Sequence, residues 1–445
     1  MMPVRKDWNS PGVWPPPGRG RMAQLSRFIM TVLGSGTIIG SFLSYTQSGL
    51  VPLTMFGYGL ALSGLVISML ITARFSRHLI QRVVPFTTAF LAATLASGLA
   101  VAGAQGLDLR LVQELFYPLG ALLILLTGFH ILRQSGPFLG WCILGLGFAN
   151  LAVGIAGVAG VTSSAGPFGP VEQGRFVFGT TLRSSNGLML NVNYFAVTQA
   201  ALGFLYALYR HTRTARLSRN DFLLAGLLIA SSVVGSSRGV TVSILAVAAM
   251  SLLALAVQRR RKSRQLFRFL LALAIAFVSL AFSLYWAEIQ EIFRFERGLN
   301  LRDEIWVAVI FAWLERPLLG WSTEAGAALG FASGGEFAGR SAHSGFLHAL
   351  LSGGVVGFAL IYGFLLYCLA LIVNRLPLDL DGALIPLACV GFFLMNSLFR
   401  TYSFGGVGLV PLLALLGLSV CLHKAYGSEV KSVRQRRWSG IATRV

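Results

Sequence analysis

Three residues spread along the chain have side chains suited to handling a phosphate ester: Arg238, Arg302 and His343. Arginine stays ionised and presents a planar fork that matches phosphate oxygens. Ser236-Ser237-Arg238-Gly239 reads as a very short turn opening a helix, so Arg238 stands at a helix N-terminus, where free backbone amides already favour an anion. Arg302 shares that logic in another helix, with Arg294 and Arg297 upstream, although Asp303 and Glu304 adjoin it and offer ordinary local pairing. His343 sits in Arg340-Ser341-Ala342-His343-Ser344. A histidine titrates near neutral pH and can take a proton from an attacking hydroxyl. The competing readings are arginines that pair with nearby carboxylates or snorkel from helix ends, and a histidine that is merely packed at an interface. His348, five residues on, falls about one turn deeper and reads as a packing residue.

The elements that must position these residues are membrane helices. Of the 445 residues, 55% are hydrophobic and only 12% charged, and the mean hydropathy is +0.72. Soluble domains carry roughly 25% charged residues, so this chain cannot present a solvated surface. A spanning helix needs about 20 apolar residues, and about twelve such runs are present: 25–47, 49–73, 83–104, 111–132, 137–161, 188–209, 221–235, 239–258, 266–286, 346–373, 382–399 and 405–423. The expected fold is all-α and integral to the membrane. Residues 1–24 form a cytoplasmic disordered tail, 25–286 carry the first nine spans, 287–345 form an extended outer loop, 346–423 carry the last three spans, and 424–445 form a basic cytoplasmic tail. The N-terminal stretch, with Trp14-Pro15-Pro16-Pro17, does not read as a cleavable signal.

Charge sets the orientation, because cytoplasmic loops retain Lys and Arg. With both termini inside, 26 of the 36 basic residues fall on the inner face, and the ten left outside are all arginine. Eleven of the 16 acids also fall outside, so the inner face is near +21 and the outer near −1. The formal charge of +20 thus follows from topology, and nucleic acid is not needed as a partner. The inner clusters serve orientation and contact with anionic membrane lipids.

Two outer connections exceed a turn. Residues 162–187 are rich in Gly and Ser, and 287–345 are the only extended extramembrane segment. In the latter, Asn300 suits an N-cap, and Ile305, Trp306, Val309, Ile310, Trp313 and Leu314 follow at helical spacing until Arg316-Pro317. This predicts an amphipathic helix lying on the membrane or roofing a cavity, followed by a flexible Gly-rich flap from Gly320 to Gly339. Cys142, Cys368, Cys389 and Cys421 lie in apolar runs without metal-ligand spacing, which argues against a disulfide framework or a structural zinc site. H-E-x-x-H, G-x-S-x-G and P-loop patterns are absent, and the one Asp-x-Asp, Asp379-Leu380-Asp381, falls inside. No metal and no cofactor is expected, so a diphosphate would be neutralised by arginine.

Three ordered segments resemble one family. Arg183-Ser-Ser-Asn-Gly187-Leu-Met-Leu-Asn191-Val-Asn193-Tyr-Phe-Ala196 enters the sixth span. Ser237-Arg238-Gly239 opens the eighth. Arg302-x-x-x-Trp306 and Glu315-x-Pro317-x-x-Gly320 precede His343-Ser344-x-x-Leu347. Their order, with the large loop before span ten, resembles the O-antigen ligase and polymerase superfamily over roughly residues 170–360. The resemblance implies a GT-C-like, inverting, metal-independent glycosyltransferase of the bacterial inner membrane. Its donor would be a glycan on undecaprenyl diphosphate, and its acceptor a hydroxyl of lipid A–core or of another glycan at the periplasmic face. By matching motif, Arg238 and Arg302 would hold the diphosphate and His343 would activate the acceptor, with Arg183 and Arg297 as further diphosphate candidates. The chain departs from the pattern at Ser322, where a second glycine is common.

Ligation to lipid A–core is the first expectation, because the loop before span ten is the dominant outer feature. Repeat-unit polymerisation is the alternative, since polymerases tend to show two comparable arginine-rich outer loops. A protein-directed transferase would carry a large outer C-terminal domain. A transporter for an anion or a polyprenyl-linked glycan is the alternative of another class; it would place ionisable residues at mid-membrane on broken helices.

Overall fold

The computed structural model describes residues 21–43, 77–102, 109–159, 172–177, 180–184, 188–189, 192–214, 217–235, 237–259, 302–322, 325–337, 341–375, 382–402 and 408–442, with residues 63, 66 and 67. Within them the helices are α1 (Arg21–Leu43), α2 (Arg77–Ala102), α3 (Leu109–Gln134), α4 (Pro137–Val158), α5 (Val192–Thr214), α6 (Arg219–Ser231), α7 (Arg238–Arg259), α8 (Arg302–Glu315), α9 (Ala325–Ala332), α10 (Gly345–Arg375), α11 (Leu384–Ser397) and α12 (Leu409–Ala442). All except α8 and α9 coincide with apolar runs of the sequence. The run at 266–286 and nearly all of that at 49–73 lie outside the described residues. Among the described residues, α1, α2, α4 and α10 are long and apolar enough to cross a membrane. The chain is a membrane-embedded helical protein.

Helices apolar on every side belong at the centre of such a bundle. α5 and α12 occupy that place: α5 packs on α4, α6, α11 and α12, and α12 also packs on α3 and α11. Phe195, Val197, Ala200, Leu202 and Leu205 of α5 are fully buried, as are Leu413, Leu415, Leu418 and Cys421 of α12. Without a strong hydrophobic drive between helices in lipid, close approach at small residues carries the packing. Gly203 is such a point, since a Cβ there would come within 2.7 Å of the Ala225 carbonyl on α6. Buried hydroxyls return to their own helices, as Thr127 Oγ1 does to the Leu123 carbonyl at 2.6 Å, so few polar groups face lipid unpaired. α12 continues as helix through the basic stretch as far as Ala442.

The connection after α4 departs from an all-helical reading. Glu172–Val177 (β1) and Thr180–Ser184 (β2) form an antiparallel hairpin with an irregularity between Glu172 and Arg175. Val177 faces Thr180, so only Phe178 and Gly179 join the strands. The aromatic and β-branched residues around a glycine are a hairpin signature hidden in a segment whose Gly and Ser content suggested a plain loop.

The helix α8 also differs in detail from its expectation. Its buried stripe is Ile305, Ala308, Val309 and Ala312, whereas Val307, Ile310, Phe311 and Leu314 are exposed. It is apolar on both faces rather than amphipathic, so the sequence periodicity did not single out the buried side. The Gly-rich stretch after it contains α9, docked on α8 through Ala325, Ala328 and Leu329.

A break in α10 locks this loop onto the bundle. Gly354 interrupts the helix at φ 61°, ψ −165°. The amides freed by the interruption are satisfied by the loop: Val355 N–H donates to the Pro317 carbonyl at 2.8 Å and Val356 N–H to the Leu318 carbonyl at 3.1 Å, while Trp321 N–H reaches the Leu351 carbonyl at 2.8 Å. Gly320 takes φ 67° where the two backbones meet. The Glu315-x-Pro317-x-x-Gly320 motif is therefore a splice between loop and broken helix. Ser322 adopts φ 47°, the left-handed conformation that a glycine would take freely, so its departure from the family pattern leaves the backbone path intact. A Cβ at Gly354 would overlap the Leu318 carbonyl in a backbone conformation already costly for an L residue, whereas one at Gly353 meets nothing closer than 3.9 Å. Gly354→Ala is expected to destabilise by roughly 2–3 kcal/mol and Gly353→Ala by much less, read as thermal unfolding of the detergent-solubilised protein.

Candidate active site

The splice at Gly354 joins the C-terminal end of α8 to α10, and a second contact joins the N-terminal half of α8 to the segment before α10. Trp306, one turn after Arg302 on the same side of α8, donates its indole N–H to the Ala342 carbonyl at 3.1 Å. Ser344 Oγ donates to the Ser397 carbonyl at the end of α11, at 3.4 Å. Ala342 and Ser344 are both buried. Between these two anchors His343 is half-buried, with φ at 48°. Histidine tolerates the left-handed region better than most residues, but the conformation still costs energy and persists because both neighbours are held.

The end of α11 is the point on which the other segments converge. Gly345, at the start of α10, lies against Ser397 and the Arg400 carbonyl, with its Cβ position 3.1 Å and 3.4 Å away. Gly239, at the start of α7, lies against Phe399 in the same way, at 3.2 Å. Arg400 extends its guanidinium over the ring of Tyr194 at the start of α5, with Cζ 4.9 Å from the centroid. One end of the bundle thus gathers the starts of α5, α7, α8 and α10 around residues 397–402.

The electrostatics at this end are unusual. Burial, and secondarily the like charge of Arg400, lower the pKa of Arg302 from the usual arginine value, although a guanidinium remains charged. Among the described residues neither arginine has a carboxylate in salt-bridge range, and Glu304 beside Arg302 points to solvent. By contrast, Arg210 at the opposite end pairs with Asp221 at 2.8 Å. Two cations drawn together with no counter-ion among the described residues are a repulsive arrangement that an anion would relieve. Burial raises the Tyr402 phenol to about 12, against the opposing charge and hydrogen bond of Arg400.

The five residues singled out by sequence fare differently. Arg302 and His343 lie on segments that touch through Trp306 and Ala342. Arg238 is the first residue of α7, next to Gly239 and so beside the same corner, and its side chain lies outside the described residues. Arg183 is in β2, which lies along α4, and its side chain lies outside the described residues. Arg297 lies outside the described residues. Arg400 was counted among the outer arginines but had no motif around it to mark it. His348 faces a cavity of about 70 Å³ next to the α10 break, shared with Tyr117, Ser352, Tyr362 and Tyr402. Among the described residues no cluster of histidine, cysteine or carboxylate is grouped to hold a metal ion.

Half-buried cations and a fixed histidine thus lie at one end of an apolar membrane-embedded bundle. Residues 222–362, from α6 to the middle of α10, match the family described as O-antigen ligase. That segment contains Arg238, Arg302 and His343, and the match supports a relationship to the O-antigen ligase and polymerase superfamily. No curated protein matches the chain.

The strained backbone at residue 343 gives a direct check on how the histidine is held. His343→Gly should stay within about 1 kcal/mol of the parent in thermal unfolding, because glycine accepts the positive φ and gives up only chain entropy. His343→Val should lose roughly 2 kcal/mol, since a β-branched residue resists that conformation most.

Proposed function

We propose that the protein transfers a glycan from undecaprenyl diphosphate to an acceptor hydroxyl at the periplasmic face of the bacterial inner membrane, as an inverting, metal-independent ligase acting on lipid A–core. His343 accepts the proton of the acceptor hydroxyl as its oxygen attacks the anomeric carbon. The bond from that carbon to the diphosphate oxygen breaks, and the electron pair leaves with the diphosphate. Attack from the opposite face inverts the anomeric centre. Arg238 and Arg302 offset the charge that develops on the leaving group, and they act most strongly in a site screened from water. Arg183 and Arg297 are secondary candidates along the donor.

The observation that carries this reading is the approach of the Arg302 segment, free of any described counter-ion, to a histidine fixed by both of its neighbours. The transporter reading is disfavoured by the α10 break itself. A discontinuous helix that binds a transported ion leaves its freed amides for the ion, whereas here the Pro317 and Leu318 carbonyls accept from them.

Reconstituted protein supplied with undecaprenyl-diphosphate glycan and lipid A–core should form the ligated product. His343→Ala and Arg302→Ala should each lower the turnover by on the order of 10²-fold or more while remaining membrane-inserted. Elongation of the donor glycan on itself, with lipid A–core ignored, would assign polymerisation instead. Full transfer by His343→Ala would refute the role of the base.

A further inference from the structure

We infer that Arg400 is an additional diphosphate-binding residue, gripping the same leaving group as Arg302 from the other side of the corner. This rests on the proposed transfer from a lipid diphosphate.

Arg400 follows the last turn of α11, and the bland explanation for a cation there is the negative end of the helix dipole. The hydrogen bonds argue otherwise. The terminal carbonyls of α11 already have donors: Leu398 N–H to Met395, Phe399 N–H to Asn396 and Ser344 Oγ to Ser397. The guanidinium lies over the Tyr194 ring, with no described bond to a backbone carbonyl or a carboxylate. A cation–π contact uses none of the fork's N–H donors, and with one turned to the Tyr402 hydroxyl the others stay available to phosphate oxygens.

The position fits a second phosphate group. Tyr194 ends the Asn191-Val-Asn193-Tyr194 portion of the first motif, Gly345 adjoins the Arg400 carbonyl two residues beyond His343, and Phe399 adjoins Gly239 beside Arg238. Arg400 thus stands between the three segments that carry the family resemblance, on a fourth that lies outside the matched residues 222–362. Arg302 and Arg400 come from separate elements, and their mutual repulsion is a standing cost without a ligand. A diphosphate has two groups to share between them, whereas a monophosphate has one.

The test is a thermal-shift titration of purified full-length protein with farnesyl diphosphate and, separately, farnesyl monophosphate. Arg400→Gln should weaken farnesyl diphosphate by on the order of tenfold, the usual worth of a charge-assisted hydrogen bond, and should weaken the monophosphate by less than about threefold. Without ligand, its unfolding temperature should equal or exceed the parent's, because a like-charge contact has been removed; a residue serving only stability would lower it. Should Arg400→Gln not fold, Arg400→Lys carries the test: several-fold weaker diphosphate binding supports the inference, and unchanged binding overturns it. If Arg302→Gln loses diphosphate binding while Arg400→Gln keeps it, the inference fails and the transfer reading stands. If the parent itself does not prefer diphosphate to monophosphate, the transfer reading fails and takes the inference with it.

Discussion

The gap in α10 is the constraint on which the rest of this molecule depends. A helix interrupted inside an apolar bundle exposes amides that lipid cannot satisfy, and each orphaned group costs several kcal/mol. Two carbonyls from the extramembrane loop, those of Pro317 and Leu318, accept from Val355 and Val356 and remove that cost. The exchange ties a long connection to the bundle at one depth and one angle. It also fixes where α8 ends, while the Trp306 bond to Ala342 places its first turns beside the segment that carries His343.

Once the loop is fixed, the site follows from convergence of segment ends rather than from any one element. The starts of α5, α7 and α10 meet the end of α11 within van der Waals contact, and α8 joins them through the Trp306 indole. Helix starts carry positive partial charge, and the side chains added to them are cationic, so the field at this end favours an anion. The opposite end is built on other terms, with a capping box at Ser218 and an Arg210–Asp221 pair that close their charges internally. The contrast separates a structural end from one left electrostatically open.

Much of this was legible in the sequence, and the limits have physical causes. Apolar runs announced the helices without reference to packing, and arginines at run boundaries raised the expectation of an anion site. The buried side of α8 was not legible, because Val307, Ile310, Phe311 and Leu314 are as apolar as the residues that pack. The β1–β2 hairpin was masked by the glycine and serine around it. The break at Gly354 sits in Ser352-Gly353-Gly354, where glycine is common in membrane helices, and only the partner carbonyls of a segment far back in the chain reveal its purpose. Arg400 escaped because its neighbourhood is assembled in space and no local pattern surrounds it.

The central claim is that a lipid diphosphate lies at the α11 corner between arginine side chains and within reach of His343. The most direct measurement is an electron cryo-microscopy structure of the protein in a lipid nanodisc loaded with undecaprenyl diphosphate. The account predicts diphosphate density bounded by the Arg302 and Arg400 guanidinium groups, close to the His343 ring, with the prenyl chain leaving toward lipid. Density at another end of the bundle, or a diphosphate held without either arginine, would contradict it.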